Sequence, residues 1–223
     1  MNERFSLPAW LAVLALLGGC GGAAKVTEGD MPPLHKAQTL VYECGDYEFV
    51  ARTGPSEITL YLPGEYRVLS QVRSGSGTRY QLGEISFHSQ GESAQLDLGT
   101  RQYRDCILNR ARAPWEEARR RGVDFRAVGQ EPAWQLEIQH DRQMLMIADY
   151  GSRRILLPTP EPELLEGYER YSVQDQKHQL QVDIEHTFCS DSMSGEVFDH
   201  RVEVNLDGSL YQGCGTSLES WWD

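Results

Sequence analysis

Apolar and polar residues alternate in short runs along the first half of the chain. Ile58-Thr-Leu-Tyr-Leu62 and Ala94-Gln-Leu-Asp-Leu98 alternate residue by residue. The segments 39–44, 47–51, 66–69, 78–82 and 85–87 are short and rich in β-branched and aromatic side chains. A period of two places alternate side chains on one face, the pattern of a strand with one side buried. Pro63-Gly64, Gly83 and Gly91 punctuate these runs. Short strands separated by glycine turns predict an antiparallel sandwich or barrel, and a closed barrel also removes exposed sheet edges.

Pro114-Trp-Glu-Glu-Ala-Arg-Arg-Arg121-Gly122 breaks this pattern. Proline early, acids in the first turn, arginines in the last and glycine beyond predict one short helix. Its arginines read as a solvated end that complements the helix dipole, with anion binding as the alternative. The second half returns to strands, with Trp134, Leu136 and Ile138 alternating, then Leu180, Val182 and Ile184. Val202-Glu-Val-Asn-Leu206 runs into Asp207-Gly208, a strong two-residue hairpin signal. Pro158 to Pro162 predicts a surface loop or stiff connector. The predicted fold is mainly β: a small antiparallel β-barrel at 39–110, a helical linker at 111–122 and a second β-rich domain at 123–223.

The N-terminus changes the picture. Residues 7–17 form an apolar run too short to span a bilayer, which needs about 20 residues. Its length is that of a signal-peptide core. It ends in Leu17-Gly18-Gly19-Cys20, which matches a bacterial lipobox. Residues 1–19 then form a lipoprotein signal peptide, with Cys20 the lipidated residue and 20–38 a tether. Gly21, rather than Asp, favours the outer membrane. The expected location is lipid-anchored at the outer membrane and facing the periplasm.

The net charge of −12 over 223 residues excludes a basic stripe for nucleic acid and favours encounters with basic partners. Five cysteines leave four after lipidation: Cys44, Cys106, Cys189 and Cys214. An even remainder in an exported chain argues for disulfides. Of three possible pairings, Cys44–Cys106 with Cys189–Cys214 is the most local. No paired CxxC supports zinc, and His186 with Cys189 alone is weak. No metal or cofactor is expected beyond the lipid on Cys20. Acid-rich 189–196 reads as a disulfide-pinned loop, with a cation site as the alternative.

No catalytic residue stands out. Gly75-Ser76-Gly77 lacks the strand–turn–helix context of a nucleophile elbow, and neither a phosphate loop nor a dinucleotide fingerprint is present. The chain is therefore not expected to be an enzyme. A glycosidase-like carboxylate pair cannot be picked out of so acidic a sequence.

Several pieces carry a resemblance: Tyr42-Glu-Cys44, Tyr47-Glu-Phe49-Val-Ala51, Ser74-Gly-Ser-Gly-Thr-Arg-Tyr80, Phe87 to Gly91, Ala94-Gln-Leu and Tyr103-Arg-Asp-Cys106. In order and spacing they resemble the membrane-bound and periplasmic inhibitors of C-type lysozyme, over about 70 residues. The resemblance implies a small barrel, a Cys44–Cys106 bridge and a loop inserted into the lysozyme cleft. It implies that Ser74, Gly75, Ser76, Gly77, Thr78, Arg79 and Tyr80 form that loop. Ser74 would donate to a catalytic carboxylate, Gly75 and Gly77 would permit close approach, and Arg79 and Tyr80 would brace the loop, with the Tyr80 ring as contact area. The family's second motif, Phe-Trp-x-Lys-Gly, is here Phe87-His88-Ser89-Gln90-Gly91. Gln90 keeps a hydrogen-bonding group and loses a cation, which predicts a weaker hold on lysozyme or a different target. Residues 123–223 look faintly like an uncharacterised envelope lipoprotein domain, through Phe125–Trp134, Cys189–Gly195 and Gly213-Cys214-Gly215. The expected function is inhibition of C-type lysozyme by an outer-membrane lipoprotein. The alternative is a non-inhibitory structural or assembly lipoprotein that uses the barrel as a scaffold.

Overall fold

The computed structural model describes residues 37–218. The stretch expected to be a signal peptide and lipobox, with Cys20, lies outside the described residues. Eight strands run antiparallel in chain order: β1 (Thr39–Cys44), β2 (Tyr47–Thr53), β3 (Glu57–Leu62), β4 (Glu65–Val72), β5 (Thr78–Leu82), β6 (Ile85–Gln90), β7 (Ser93–Asp97) and β8 (Gln102–Leu108). β8 returns to β1 through Tyr42 opposite Leu108 and Glu43 opposite Ile107, closing the predicted barrel.

The period-two pattern decides what fills it. On β3, Ile58, Leu60 and Leu62 point inward while the residues between them are more exposed. Tyr42, Phe49, Leu69, Phe87 and Leu96 join this core. Phe49 stacks on Tyr42 at 5.5 Å, and Phe87 meets Tyr42 edge-on at 5.3 Å, the offset geometries that aromatic quadrupoles favour. Cys44–Cys106 bridges β1 and β8 across the closing seam.

The predicted helix is α1 (Ala113–Arg120), with proline in its first turn and Gly122 at φ +74 just beyond its end. It touches both β bodies. Toward the barrel, Glu117 accepts from Arg52 at 2.9 Å and from the Thr39 hydroxyl. The Arg120 guanidinium lies 5.1 Å over the Tyr61 ring. On the other side Trp115 stacks on Phe198 at 5.0 Å. Of the arginines read as a solvated helix end, Arg121 is exposed, while Arg119 and Arg120 are partly buried in the last turn. Arg119 pairs with Glu116, and Arg121 holds the buried Glu137 by two bonds of 2.8 and 2.9 Å. Their carboxylate partners come from the same helix and from the next sheet, so neither is left open for an anion.

The second body begins with β9 (Phe125–Gln130), β10 (Ala133–Gln139), β11 (Gln143–Ala148), β12 (Arg153–Pro158), β13 (Glu163–Leu165), β14 (Tyr168–Gln174) and β15 (Gln179–Glu185). It continues with β16 (Cys189–Ser190), β17 (Val197–Phe198), β18 (His200–Leu206) and β19 (Ser209–Ser217). Nine of these form one curled sheet in the order β12-β11-β10-β9-β19-β18-β15-β14-β13, and β16 with β17 forms a small ribbon. The hairpin at Asp207-Gly208 is present, with φ of +54 and +85, the left-handed values a type I′ turn requires.

The motif pieces of this half form one packing unit. The Trp134 indole covers β9 and β19, donating its Nε1–H to the Gln212 carbonyl at 3.1 Å. A Cβ on Gly129 would stand 2.1 Å from that nitrogen, and one on Gly213 would stand 2.0 Å from the Val128 carbonyl. Glycine is needed at both positions for strand and indole to approach. The second disulfide, Cys189–Cys214, ties the 189–198 excursion to β19. Within it the Asp191 carboxylate accepts from the backbone N–H of Met193 and Ser194, from the Ser194 hydroxyl and from the Gln130 amide, at 2.7–3.1 Å. The acid-rich segment is thus the disulfide-pinned loop read from sequence, its central carboxylate committed to holding the turn.

Candidate functional site

β4 ends at Val72 and β5 begins at Thr78, so residues 73–77 form an exposed loop at one rim of the barrel. Pairing of β5 with β6 sets Thr78 opposite Ser89, Arg79 opposite His88 and Tyr80 opposite Phe87. The two ends of the 73–91 stretch are thereby brought together beneath the loop.

The Ser74 hydroxyl donates to the Ser76 carbonyl at 2.5 Å. His88 Nε2 lies 2.9 Å from the same oxygen and 3.4 Å from Ser74 Oγ. A carbonyl only accepts, so this contact requires the proton on Nε2. Both lone pairs of Ser76 O are then occupied. In the sequence His88 was only a departure from the family pattern; here it is the side chain that anchors the loop. The signal available was its place opposite Arg79, on the outward face of β6, next to an inward Phe87.

The two loop glycines are not equivalent. Gly77 sits at φ +61, and a Cβ there would lie 2.2 Å from the Ser89 carbonyl and 3.2 Å from Gln90 Cβ. Both the left-handed backbone and the close approach demand glycine. Gly75 has no such φ, and a Cβ on it would meet nothing within 4 Å. Within the chain, then, only Gly77 of the two is required by a neighbouring backbone.

Tyr80 departs from its expected role. Its ring is 7% exposed and stacks toward Phe87 at 6.3 Å, inside the core. It braces the loop from below and offers no ring face as contact area; burial also pushes its hydroxyl pKa up. Arg79, one residue earlier on the opposite face, is exposed, and no ion pair engages it among the described residues. Thr78 is partly exposed at the loop base, and Gln90 is exposed at the end of β6, beside Gly77. A groove of about 280 Å³ flanks the loop, lined in part by Arg79, His88, Gln95, Asp97, Gln102 and Arg104. The rim thus combines a small hydroxyl tip, guanidinium, amide and imidazole donors and, within the groove, the Asp97 carboxylate.

Among the described residues, no group of three or more His, Cys, Asp and Glu is arranged to hold a metal. No helix among them is long and apolar enough to cross a membrane. No curated protein and no solved structure matches the chain. Residues 42–105, which run from β1 to β8 and contain the whole 73–91 rim, match the family described as membrane-bound lysozyme-inhibitor of c-type lysozyme.

Proposed function

We propose that this protein inhibits C-type lysozyme stoichiometrically, by inserting the Ser74–Tyr80 loop into the sugar cleft of the enzyme. The observation that carries this reading is the family match over residues 42–105, inside which Ser74 stands exposed at the tip of a braced loop. On binding, the Ser74 hydroxyl leaves the Ser76 carbonyl and donates to a lysozyme carboxylate. His88 stays on Ser76 O, so that carbonyl keeps a donor throughout the exchange. A neutral internal hydrogen bond contributes about 1 kcal/mol net, and one to a charged group roughly 1.5–3 kcal/mol, so the exchange favours the complex. Arg79 supplies the cation that Gln90 lacks, and the −12 net charge draws in a basic enzyme.

Anchoring through a lipid on Cys20 at the outer membrane, facing the periplasm, would place this rim where lysozyme arrives. Palmitate labelling that is lost in a Cys20→Ser variant tests the anchor. The inhibition itself is tested by titrating lysis of a cell-wall substrate with the protein lacking residues 1–20. An equivalence point near one to one supports the reading; undiminished lysis at micromolar protein rejects it.

One observation favours a second reading, an assembly or structural lipoprotein. Phe188, Met193 and Val197 are 80%, 76% and 64% exposed on and around the disulfide-pinned excursion of the second sheet. An apolar set held rigid in this way is a candidate contact surface. Retention of an envelope partner by the whole protein, lost on Phe188→Ser with lysozyme inhibition intact, would separate the two roles.

A further inference from the structure

Away from the barrel rim, two histidines meet where β15 ends and β18 begins. Glu185 pairs with Arg201 as the last register position between these strands, which leaves His186 and His200 facing one another just beyond it. His186 Nδ1 and His200 Nε2 are 3.2 Å apart, with the rings inclined at 65°. Each ring turns its other nitrogen toward a carboxylate. Asp199 Oδ1 is 2.9 Å from His200 Nδ1, though off the line of a good hydrogen bond, and Glu169 Oε1 is 3.7 Å from His186 Nε2. The sequence Asp199–His200–His186–Glu169 is therefore a carboxylate at each end and two facing imidazole nitrogens in the middle.

We infer that this pair is a binding site for a zinc-like divalent cation, held by His186 Nδ1 and His200 Nε2, with water completing the coordination. Two imidazole nitrogens at about 2.0–2.1 Å from one tetrahedral zinc lie roughly 3.3 Å apart, close to the spacing found. Metal-bound histidines characteristically present their remote nitrogen to a carboxylate, which fixes the tautomer and strengthens the near nitrogen as a ligand. Here each remote nitrogen has a carboxylate beside it, at 2.9 Å but off the hydrogen-bond line for His200 and at 3.7 Å for His186. The site is also built rather than loose. The His200 side chain is 12% exposed and lies edge-on to Phe125 at 5.4 Å, while the His186 backbone N–H donates to Gly167 O at 3.2 Å. Arg201, next to His200 in the chain, is offset by Glu185 at 3.5 Å. Imidazole ligands select zinc, copper and nickel over calcium and magnesium. Without metal, one near nitrogen donates its proton to the other; the cation displaces that proton, so binding weakens in acid.

The test is zinc titration of the untagged protein lacking residues 1–20, followed by calorimetry and by the histidine ring resonances. One zinc per chain is expected, with shifts confined to His186 and His200. His186→Ala, whose side chain is 52% exposed and whose loss should leave the fold intact, is expected to weaken binding more than tenfold. Glu169→Gln is expected to weaken it about tenfold, as the loss of an outer-shell carboxylate does. His88→Ala, His140→Ala and His178→Ala are expected to leave it unchanged. No zinc uptake at millimolar concentration, or uptake indifferent to His186→Ala, would overturn the assignment.

Discussion

His88 Nε2 donates to the Ser76 carbonyl across 2.9 Å, on the same oxygen that the Ser74 hydroxyl serves at 2.5 Å. The loop is thus held from β6 as well as from within, and Ser74 can turn outward without leaving a bare carbonyl.

His88→Ala should therefore weaken lysozyme inhibition about fivefold, the equivalent of one hydrogen bond of roughly 1 kcal/mol. The barrel should melt within about 2 °C of the parent, since His88 is partly exposed and outside the core. Inhibition constants beside melting curves check this. Unchanged inhibition would mean that the loop does not depend on its anchor.

The glycines separate cleanly. Gly77→Ala forces a Cβ against the Ser89 carbonyl at φ +61 and should cost roughly 1–3 kcal/mol, with loss of inhibition. Gly75→Ala has open space and an ordinary backbone within the chain, and should leave stability nearly as it was. Denaturant midpoints of the two variants measure the contrast; equal effects would contradict it.

Where the pattern of the sequence was local, it carried through to structure. The alternation at Ile58–Leu62, the proline–glycine frame of α1 and the Asp207-Gly208 turn each depend on residues a few positions apart. β8 was harder to read, because Gln102–Leu108 buries only Cys106 and is a strand by virtue of pairing on both sides. β11, β12 and β14 were likewise not singled out. At the rim, the loop was legible as a glycine-rich stretch and Tyr80 as its brace, yet the burial of the Tyr80 ring and the anchoring by His88 were not. Both follow from the alternation on β5 and β6, which sends Tyr80 and Phe87 inward and Arg79 and His88 outward. The His186–His200 pair joins residues 14 apart through a chain excursion, and the Gly129–Trp134–Gly213 contact joins β9, β10 and β19. No short window of sequence contains either.

The two disulfides should report on different properties. Cys44–Cys106 spans 62 residues and Cys189–Cys214 spans 25. Chain-entropy arguments assign them roughly 4 and 3.5 kcal/mol. Replacing the first pair by alanine should open the barrel seam and abolish inhibition. Replacing the second should lower the melting temperature of the protein and leave the inhibition constant within about twofold. Paired melting and inhibition measurements distinguish the two; loss of inhibition on removal of the second bridge would contradict the assignment of the rim to the barrel alone.

Acid should loosen the Cys189–Glu196 turn. Burial acts to raise the Asp191 pKa, but the donors from Ser194, Gln130 and Met193 together win, and it is held below the ordinary aspartate value. A carboxyl depressed in the folded state adds stability above its unfolded pKa and loses it as pH falls through the folded one. The protein should therefore lose stability below about pH 4, and Asp191→Asn should be less stable at neutral pH with a flatter acid limb. Melting temperatures from pH 7 to pH 3 test this. Parallel curves for the two proteins would remove Asp191 from the account.

Entry of Ser74 into the lysozyme cleft is what the proposed inhibition rests on. Its most direct test is the dissociation constant of the protein lacking residues 1–20 for egg-white lysozyme of the C-type, beside that of Ser74→Ala. Stoichiometric inhibition by the parent is expected, with a weakening of roughly tenfold or more in Ser74→Ala, the worth of a hydrogen bond to a carboxylate. Equal affinity of the two proteins, or no binding by either, would contradict it.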